Sequence, residues 1–473
     1  MKTITIEPVT RIEGHAKVSI HLNDSGKVEE ARLHVDEFRG FEKFVEGRPF
    51  FEMPQITSRI CGICPVSHHL AAAKACDALI GVTPPRPAQL LRELMHMGQV
   101  VQSHSMHFFH LAGPDLLLGF DADPAIRNVV GVLNADPQLA AKAIRLRAFG
   151  QDVIKALSGR RVHPNHSIPG GVNAPLSVES RDAILSQIDE MMEIVKTGIK
   201  VAKGWYGENM DLVNSFAVLK SGYMGTVEPD GGLQLYEGKV RLVDQDGKRL
   251  EEFEPRSYLD VIAEHVEDWS YLKFPYYRKK GWPDGVYRVG PLGRLNAADK
   301  ISTPEANAEL QQFRAINPGK PVEGTLWFHY ARLIEDLYAI ERMKELLLDP
   351  DILSTELVAS SKQIVGEGVG CIEAPRGTLI HHYKTDEDGL ITKANLIVAT
   401  GHNNWAMSKS VEVVAKACVD GTKLTEGMLN RVEAAIRAHD PCLSCSTHAV
   451  GAMPIVLELV APGGEVLDRM VRD

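Results

Sequence analysis

What the chain lacks narrows its class first. Its 473 residues contain no run of about 18 apolar residues, so no transmembrane helix is expected. The opening "MKTITIEPVTRIEGH" alternates and carries charge, without the apolar core of a secretory signal. There is no basic excess. The formal net charge is −10, which excludes a nucleic-acid or anionic-membrane surface as the main partner. No GxGxxG fingerprint, internal repeat, low-complexity stretch or clear interdomain linker is present. Cysteine is scarce, and its count of seven is odd. In a chain that shows no signal segment, this argues against a disulfide framework. Together these absences predict a cytoplasmic globular protein.

What is present supports one large core. Hydrophobic residues make up 44% and charged residues 24%, an ordinary balance for a globular chain. "AKVSIHL" and "VEEARLHV" alternate around the turn cluster "NDSGK", which predicts a hairpin. Residues 239–253 and the stretch "GTLIHHYKTDEDGLITKANLIV", with its turn at Asp388-Gly389, read the same way. Apolar residues recur at helical spacing over 86–113, 178–204, 306–347 and 424–437. The expected fold is a single large α+β domain, with a central long-helix bundle and small peripheral β-sheets or hairpins.

Four of the cysteines form two CxxC pairs. "RICGICPVSHH" holds Cys61 and Cys64, with Pro65 placed to start a helix and His68 one turn in. "DPCLSCSTH" holds Cys442 and Cys445, with His448 three residues on. One CxxC alone suits a zinc half-site or a redox pair, but no βαβ pattern surrounds either. A zinc ribbon spaces its pairs by about 15–20 residues. Here 378 positions separate Cys64 from Cys442. Loop entropy grows only logarithmically, so the span is allowed. A site closed that way forms after most of the chain has folded, which suits a buried catalytic centre.

The two cysteine segments resemble the signatures of nickel–iron hydrogenase large subunits. Three further segments agree in order: "EPVTRIEGHAKVSI", "EFRGFEKFVEGRP" and "EAPRGTLIHHY". The resemblance runs from Glu7 to Asp473. "WSYLKFPYY", "GVYRVGPLGRLN" and "DPCLSCSTHAVGAMP" are nearest in style to the soluble NAD-reducing bidirectional enzymes.

That resemblance implies reversible heterolytic cleavage of dihydrogen at a nickel–iron centre. Cys61 and Cys442 would be terminal nickel ligands. Cys64 and Cys445 would bridge to an iron carrying carbonyl and cyanide. A magnesium ion would be held by Glu42, His448 and a backbone carbonyl at Leu396. Arg376 would lie over the open metal position, oriented by Asp115 and Asp440. Thr400 would hydrogen-bond a cyanide, and beside it Ala399 departs from the proline of many members. Glu13 would be the first proton-relay carboxylate, next to Cys442.

Partners are implied as well. Cys76, Cys371 and Cys418 are too scattered to hold a cluster, so electrons would leave through an iron–sulfur small subunit to diaphorase-type subunits carrying FMN and NAD. Residues 1–448 would be the hydrogenase domain. Residues 449–473 would be a C-terminal extension removed by a dedicated endopeptidase, which makes this sequence a precursor. NADP, deazaflavin or another acceptor, or a hydrogen-sensing role, are the alternatives.

Each residue also has a plainer reading. Glu13 suits a surface or capping carboxylate, and Arg376 suits a turn between Pro375 and Gly377. His104, His107 and His110 share a helical face, where packed or capping histidines are the ordinary case. His15, His68 and His69 fit supporting hydrogen bonds near the site. The three spare cysteines behave as small buried apolar residues.

Overall fold

Proline and glycine divide the apolar periodicity into the observed elements. The computed structural model describes residues 2–421, 423–449, 455–461, 463 and 465–472. Helix α1, Pro65–Leu79, begins on Pro65, where a missing N–H leaves no helical bond unmade. Helix α2, Arg86–Met106, packs on α3, Pro137–Ser158, and on the buried α5, Phe328–Leu348. Helix α4, Ile188–Glu208, covers another side of α5. Helices α6, Asn404–Cys418, and α7, Glu426–Arg437, pack together beside the amino-terminal sheet. This is the expected helical centre.

Three of the expected helical stretches are interrupted. The periodic segment 306–347 is two helices, Pro304–Arg314 and α5, because Pro318-Gly319, Pro321 and Gly324 lie between them. The segment 178–204 breaks between Val178–Leu185 and α4. The segment 86–113 widens over His107–Ala112 into i→i+5 turns before the short helix Gly113–Leu118. Pro114 supplies no N–H there, which removes one bond of the regular ladder.

The predicted hairpins are present. Strands β1, Lys2–Ile6, β2, Lys17–Leu22, and β3, Val28–His34, form an antiparallel sheet. Strands β4, Gly222–Val227, β5, Lys239–Val243, and β6, Arg249–Phe253, form a second, with Tyr287–Arg288 as its parallel edge. Strands β7, Glu367–Ala374, β8, Gly377–Thr385, and β9, Ile391–Ile397, form a third. This last sheet lies inside the molecule rather than at its edge. Helix α1 lies directly on β7, since a Cβ at Gly368 or Gly370 would come within 2.2 Å of Ala75 O and 2.1 Å of Ala71 O. Only glycine permits that approach.

A buried charge network fixes the turn between β7 and β8. Arg294 donates to Glu335 at 2.6 Å and to Glu373 at 2.8 Å. It also donates to the carbonyls of Ala374 and Pro375, at 2.8 and 3.0 Å. Each charge thus has a partner in a dry interior. The two-residue turn Pro375-Arg376 is therefore held from beneath. Within the 449–473 segment, 450–454, 462, 464 and 473 lie outside the described residues. Its strands Ile455–Val460 and Val466–Arg472 pair with each other.

Candidate metal centre

The two CxxC segments meet although they lie near opposite ends of the chain. Cys61 precedes the tight turn into α1, and Cys64 caps that helix. The N–H of Ile63 donates to Cys61 Sγ at 3.2 Å. Cys442 caps one helical turn, Leu443–Ser446, and Cys445 lies within it. All four sulfurs are buried, unbridged and within 4.8 Å of one another. Cys64 and Cys445 are 3.4 Å apart, as are Cys61 and Cys442. Those two edges approach the roughly 3.8 Å edge of a tetrahedron with metal–sulfur bonds of about 2.3 Å, while Cys442 and Cys445 stand closer, at 2.7 Å. Among the described residues, no other group of three or more His, Cys, Asp or Glu is placed to hold a metal ion.

The charge state of the sulfurs also favours a cation. Hydrogen bonds from Cys442, then from Cys445 and Cys64, hold the Cys61 thiol well below its usual range. Burial pushes Cys442 and Cys445 well above theirs. Four thiolates cannot coexist in this volume without a positive ion. The donor set is soft and all-thiolate, which suits nickel.

Arg376 is fixed at the cluster. Its Nε donates to Asp440 O at 2.8 Å, its Nη2 to Asp440 Oδ1 at 3.0 Å, and its Nη1 reaches Ser103 Oγ at 3.5 Å. Burial disfavours its charge, but Asp440 and the nearby thiolates outweigh that and hold its pKa above the ordinary value. Asp440 adopts φ +54°, a strained conformation that brings both its carbonyl and its carboxylate to the guanidinium. A cavity of about 10 Å³ adjoins the sulfurs, room for about one water. Arg376, Ala374, Leu379, Val398, Ala399 and Thr400 contribute to its wall. Thr400 Oγ1 accepts the Cys442 N–H at 2.9 Å, which leaves its own proton free to donate.

Asp115 stands elsewhere. The sequence reading paired it with Arg376, but its carboxylate is bound by Arg11, Arg437 and Asn430. Asn430 and Arg437 both stand on α7. Burial raises its pKa, but the charge of Arg437 and then Arg11 outweighs this and lowers it overall. Asp115→Ala is expected to lower the unfolding free energy by on the order of 3 kcal/mol, because Arg437 loses a partner where it is fully buried. The Arg376–Asp440 pair should survive. Chemical denaturation checks this. Lost turnover at unchanged stability would return Asp115 to the arginine at the metal.

Glu13 lies against the second cysteine segment. Its Oε2 accepts the Ser444 N–H at 3.1 Å, and its carbonyl accepts the Leu443 N–H at 3.1 Å. Gly14 makes this possible: at φ +83°, a Cβ there would come within 2.7 Å of Leu443 Cβ. Glu42 Oε1 lies 3.0 Å from His448 Nδ1 and accepts the Leu396 N–H at 2.6 Å. Burial pushes Glu42 up, but the His448 bond and charge and the Leu396 N–H lower it overall. Leu396 thus meets Glu42 through its N–H.

His104 and His107 are packing histidines, held by Glu335 and by the Arg437 carbonyl. His110 faces an apolar groove. His15 is exposed beside Glu37, and His69 accepts from the N–H of Ser167. Ser103 and Ser444 were missed: no motif marks Ser103, and Ser444, inside "DPCLSCSTH", acts through its backbone N–H. His381, within "EAPRGTLIHHY", lies two residues before Tyr383 on a strand, so the two share a face.

The nickel-dependent hydrogenase family model matches residues 39–146 and 230–448, and a HoxL-like model matches residues 3–38. The NAD-reducing hydrogenase HoxS subunit beta of Cupriavidus necator is 45% identical over the whole of both chains. A vhu F420-non-reducing hydrogenase subunit of Methanococcus voltae is 48% identical, covering 88% of this chain and 99% of its own. A crystal structure of an NAD+-reducing NiFe-hydrogenase in the H2-reduced state superposes with a TM-score of 0.93 at 47% identity, covering 95% of this chain and 100% of that one. With its four-sulfur site, the chain belongs to the nickel-dependent hydrogenase family, as a large subunit.

Proposed function

We propose that this chain is the dihydrogen-splitting subunit of an NAD-reducing hydrogenase. The observation that carries the reading is the group of four buried sulfurs beside a fixed guanidinium, in a chain that aligns end to end with an NAD-reducing subunit. Cys61 and Cys442 are assigned as terminal ligands, and Cys64 and Cys445 as bridges to an iron with carbonyl and cyanide ligands. Bound there, the nickel–iron pair supplies the Lewis acidity and electron-accepting capacity that heterolysis of dihydrogen needs.

The side chains do the rest. Arg376 presents a fixed cation, always protonated, whose orientation Asp440 sets through two hydrogen bonds. Thr400 lines the small cavity with Ala399 beside it, and its O–H is assigned to a cyanide there. Glu13 is half-buried, between the enclosed cluster and solvent. Its backbone is laddered to Cys442, and its carboxylate is held by Ser444. It takes the proton from the Cys442 side and passes it outward. Glu42, His448 and the backbone at Leu396 are assigned to a magnesium ion, whose preference for oxygen the Glu42 carboxylate meets.

Electrons pass to an iron–sulfur small subunit, then to diaphorase-type subunits with FMN and NAD. The chain is assigned to the cytoplasm, where the NAD pool lies. Among the described residues, no helix is long and apolar enough to cross a membrane. The Methanococcus relative, named for not reducing F420, keeps another acceptor as the second reading. The test is NAD reduction by dihydrogen in the purified complex, read with its infrared spectrum. Turnover with NAD, and carbonyl and cyanide bands that shift under hydrogen, are expected. Bands without NAD turnover favour another acceptor. A blank spectrum from nickel-loaded, processed protein removes the carbonyl–cyanide assignment.

A further inference from the structure

We propose that Ser67 supplies a second hydroxyl donor, beside Thr400, to the diatomic ligands of the iron. The inference rests on the reading that a nickel–iron pair with carbonyl and cyanide ligands binds at the four cysteines.

Ser67 stands on α1, three residues after Cys64, and is fully buried. Its Oγ makes no hydrogen bond, to oxygen or to sulfur, among the described residues. A serine inside a helix ordinarily gives its proton to the carbonyl four residues back. Here that carbonyl is Ile63 O, and two amides from α2 already fill it. Gln99 Nε2 donates to it at 2.9 Å and Gln102 Nε2 at 2.6 Å. A carbonyl oxygen has two lone pairs, so both are used. The carbonyl three residues back, Cys64 O, takes the N–H of Ser67 itself at 3.2 Å. Packing of α2 against the first cysteine pair thus denies the hydroxyl its usual acceptor.

The cavity at the cluster is what remains. Ser67 lines it together with Thr400, Arg376 and the sulfur-bearing residues Cys64, Cys442 and Cys445. Cys64 and Cys445 are the cysteines assigned to bridge to iron, and Cys61 does not line the cavity, so it lies toward the iron side. Thr400 Oγ1 already accepts the Cys442 N–H, so it too offers the cavity a proton. An O–H left unpaired in a buried wall is unfavourable, so two such groups mark the place of an acceptor. At about 10 Å³ the space admits only a small one. The end atom of a linear diatomic ligand fits in size and in lone-pair character, whether it is the nitrogen of cyanide or the oxygen of carbonyl. A hydrogen bond donated to that atom draws electron density outward along the ligand, and so from the metal.

The test is the infrared spectrum of the processed, nickel-loaded complex carrying Ser67→Ala, which removes the donor, or Ser67→Cys, which keeps a weaker one. At unchanged nickel content, Ser67→Ala should displace one carbonyl or cyanide band from its wild-type position. Ser67→Cys should displace the same band by less. A moved cyanide band identifies cyanide as the acceptor, and a moved carbonyl band identifies carbonyl. Wild-type bands in a folded, loaded Ser67→Ala complex overturn the proposal and leave a trapped water as the partner of the hydroxyl. Equal displacement in both variants also overturns it, because a change of packing then accounts for the shift. If Ser67→Ala does not fold, Ser67→Cys decides: one moved band supports the proposal, and wild-type bands overturn it. Wild-type complex without carbonyl or cyanide bands would instead overturn the reading on which the proposal rests.

Discussion

Cys64→Ser is expected to yield a folded protein with nickel below detection and no hydrogenase turnover. The substitution changes one atom, so the cost to folding is small: a buried hydroxyl without a strong partner costs about 1–3 kcal/mol. Its effect on the site is large. Cys64 Sγ stands 3.4 Å from Cys445 Sγ, and the four sulfurs form one group within 4.8 Å. A serine hydroxyl is a harder donor on a shorter bond, and it does not ionise in a buried site as a thiol does beside a soft metal. The Coulomb balance shifts as well. The charge of Arg376 is sustained first by Asp440 and then by the neighbouring cysteine sulfurs, Cys64 among them. Circular dichroism and metal analysis of the purified complex check this. A Cys64→Ser enzyme with full nickel and wild-type turnover would end the four-thiolate assignment.

Protein that keeps residues 449–473 is expected to have no turnover, and a block placed at the cut, Ala449→Pro, should trap it in that state. The main-chain oxygens of Thr447 and His448 already meet a row of donors. Arg39 N–H reaches Thr447 O at 2.8 Å, and Glu42 N–H reaches His448 O at 3.1 Å. With the tail attached, that second acceptor is a neutral peptide carbonyl. Cleavage after His448 would convert it to a carboxylate, a full negative charge beside Glu42 and the proposed magnesium ion. The charge-assisted bonds so formed are about twice as strong as neutral ones. The tail hairpin adds little to hold the uncut form, since a two-stranded hairpin alone is marginal in water. Mass spectrometry of the active fraction should find chains ending at His448. Active enzyme ending at Asp473 would sink the idea.

The legible parts of the molecule were those set by neighbours in sequence. The hairpins at 17–34, 239–253 and 377–397 follow from alternation around turn residues, and all three are present. The helix after Cys64 follows from Pro65. The stretch 306–347 misled because apolar spacing continues on both sides of a proline–glycine break, and periodicity alone does not see the break. Strand β7 was missed because Gly368 and Gly370 weaken strand propensity. Their value is the close approach of α1, a property of two elements together.

The site divides in the same way. By itself the sequence determined the ligand chemistry: two CxxC pairs and an arginine between a proline and a glycine. Thiolate softness and turn conformation are local properties, readable from residue type and spacing. Only the tertiary structure decided which carboxylate serves which arginine. Arg376 has Asp440, at φ +54° and 3.0 Å, while Asp115 goes to Arg11 and Arg437. It also decided that Leu396 offers an N–H and that His68 is tied through His381 to Tyr383. In a buried site each charge and lone pair takes the partner that packing brings within about 3 Å, and residues hundreds of positions apart become neighbours only when the whole chain has folded.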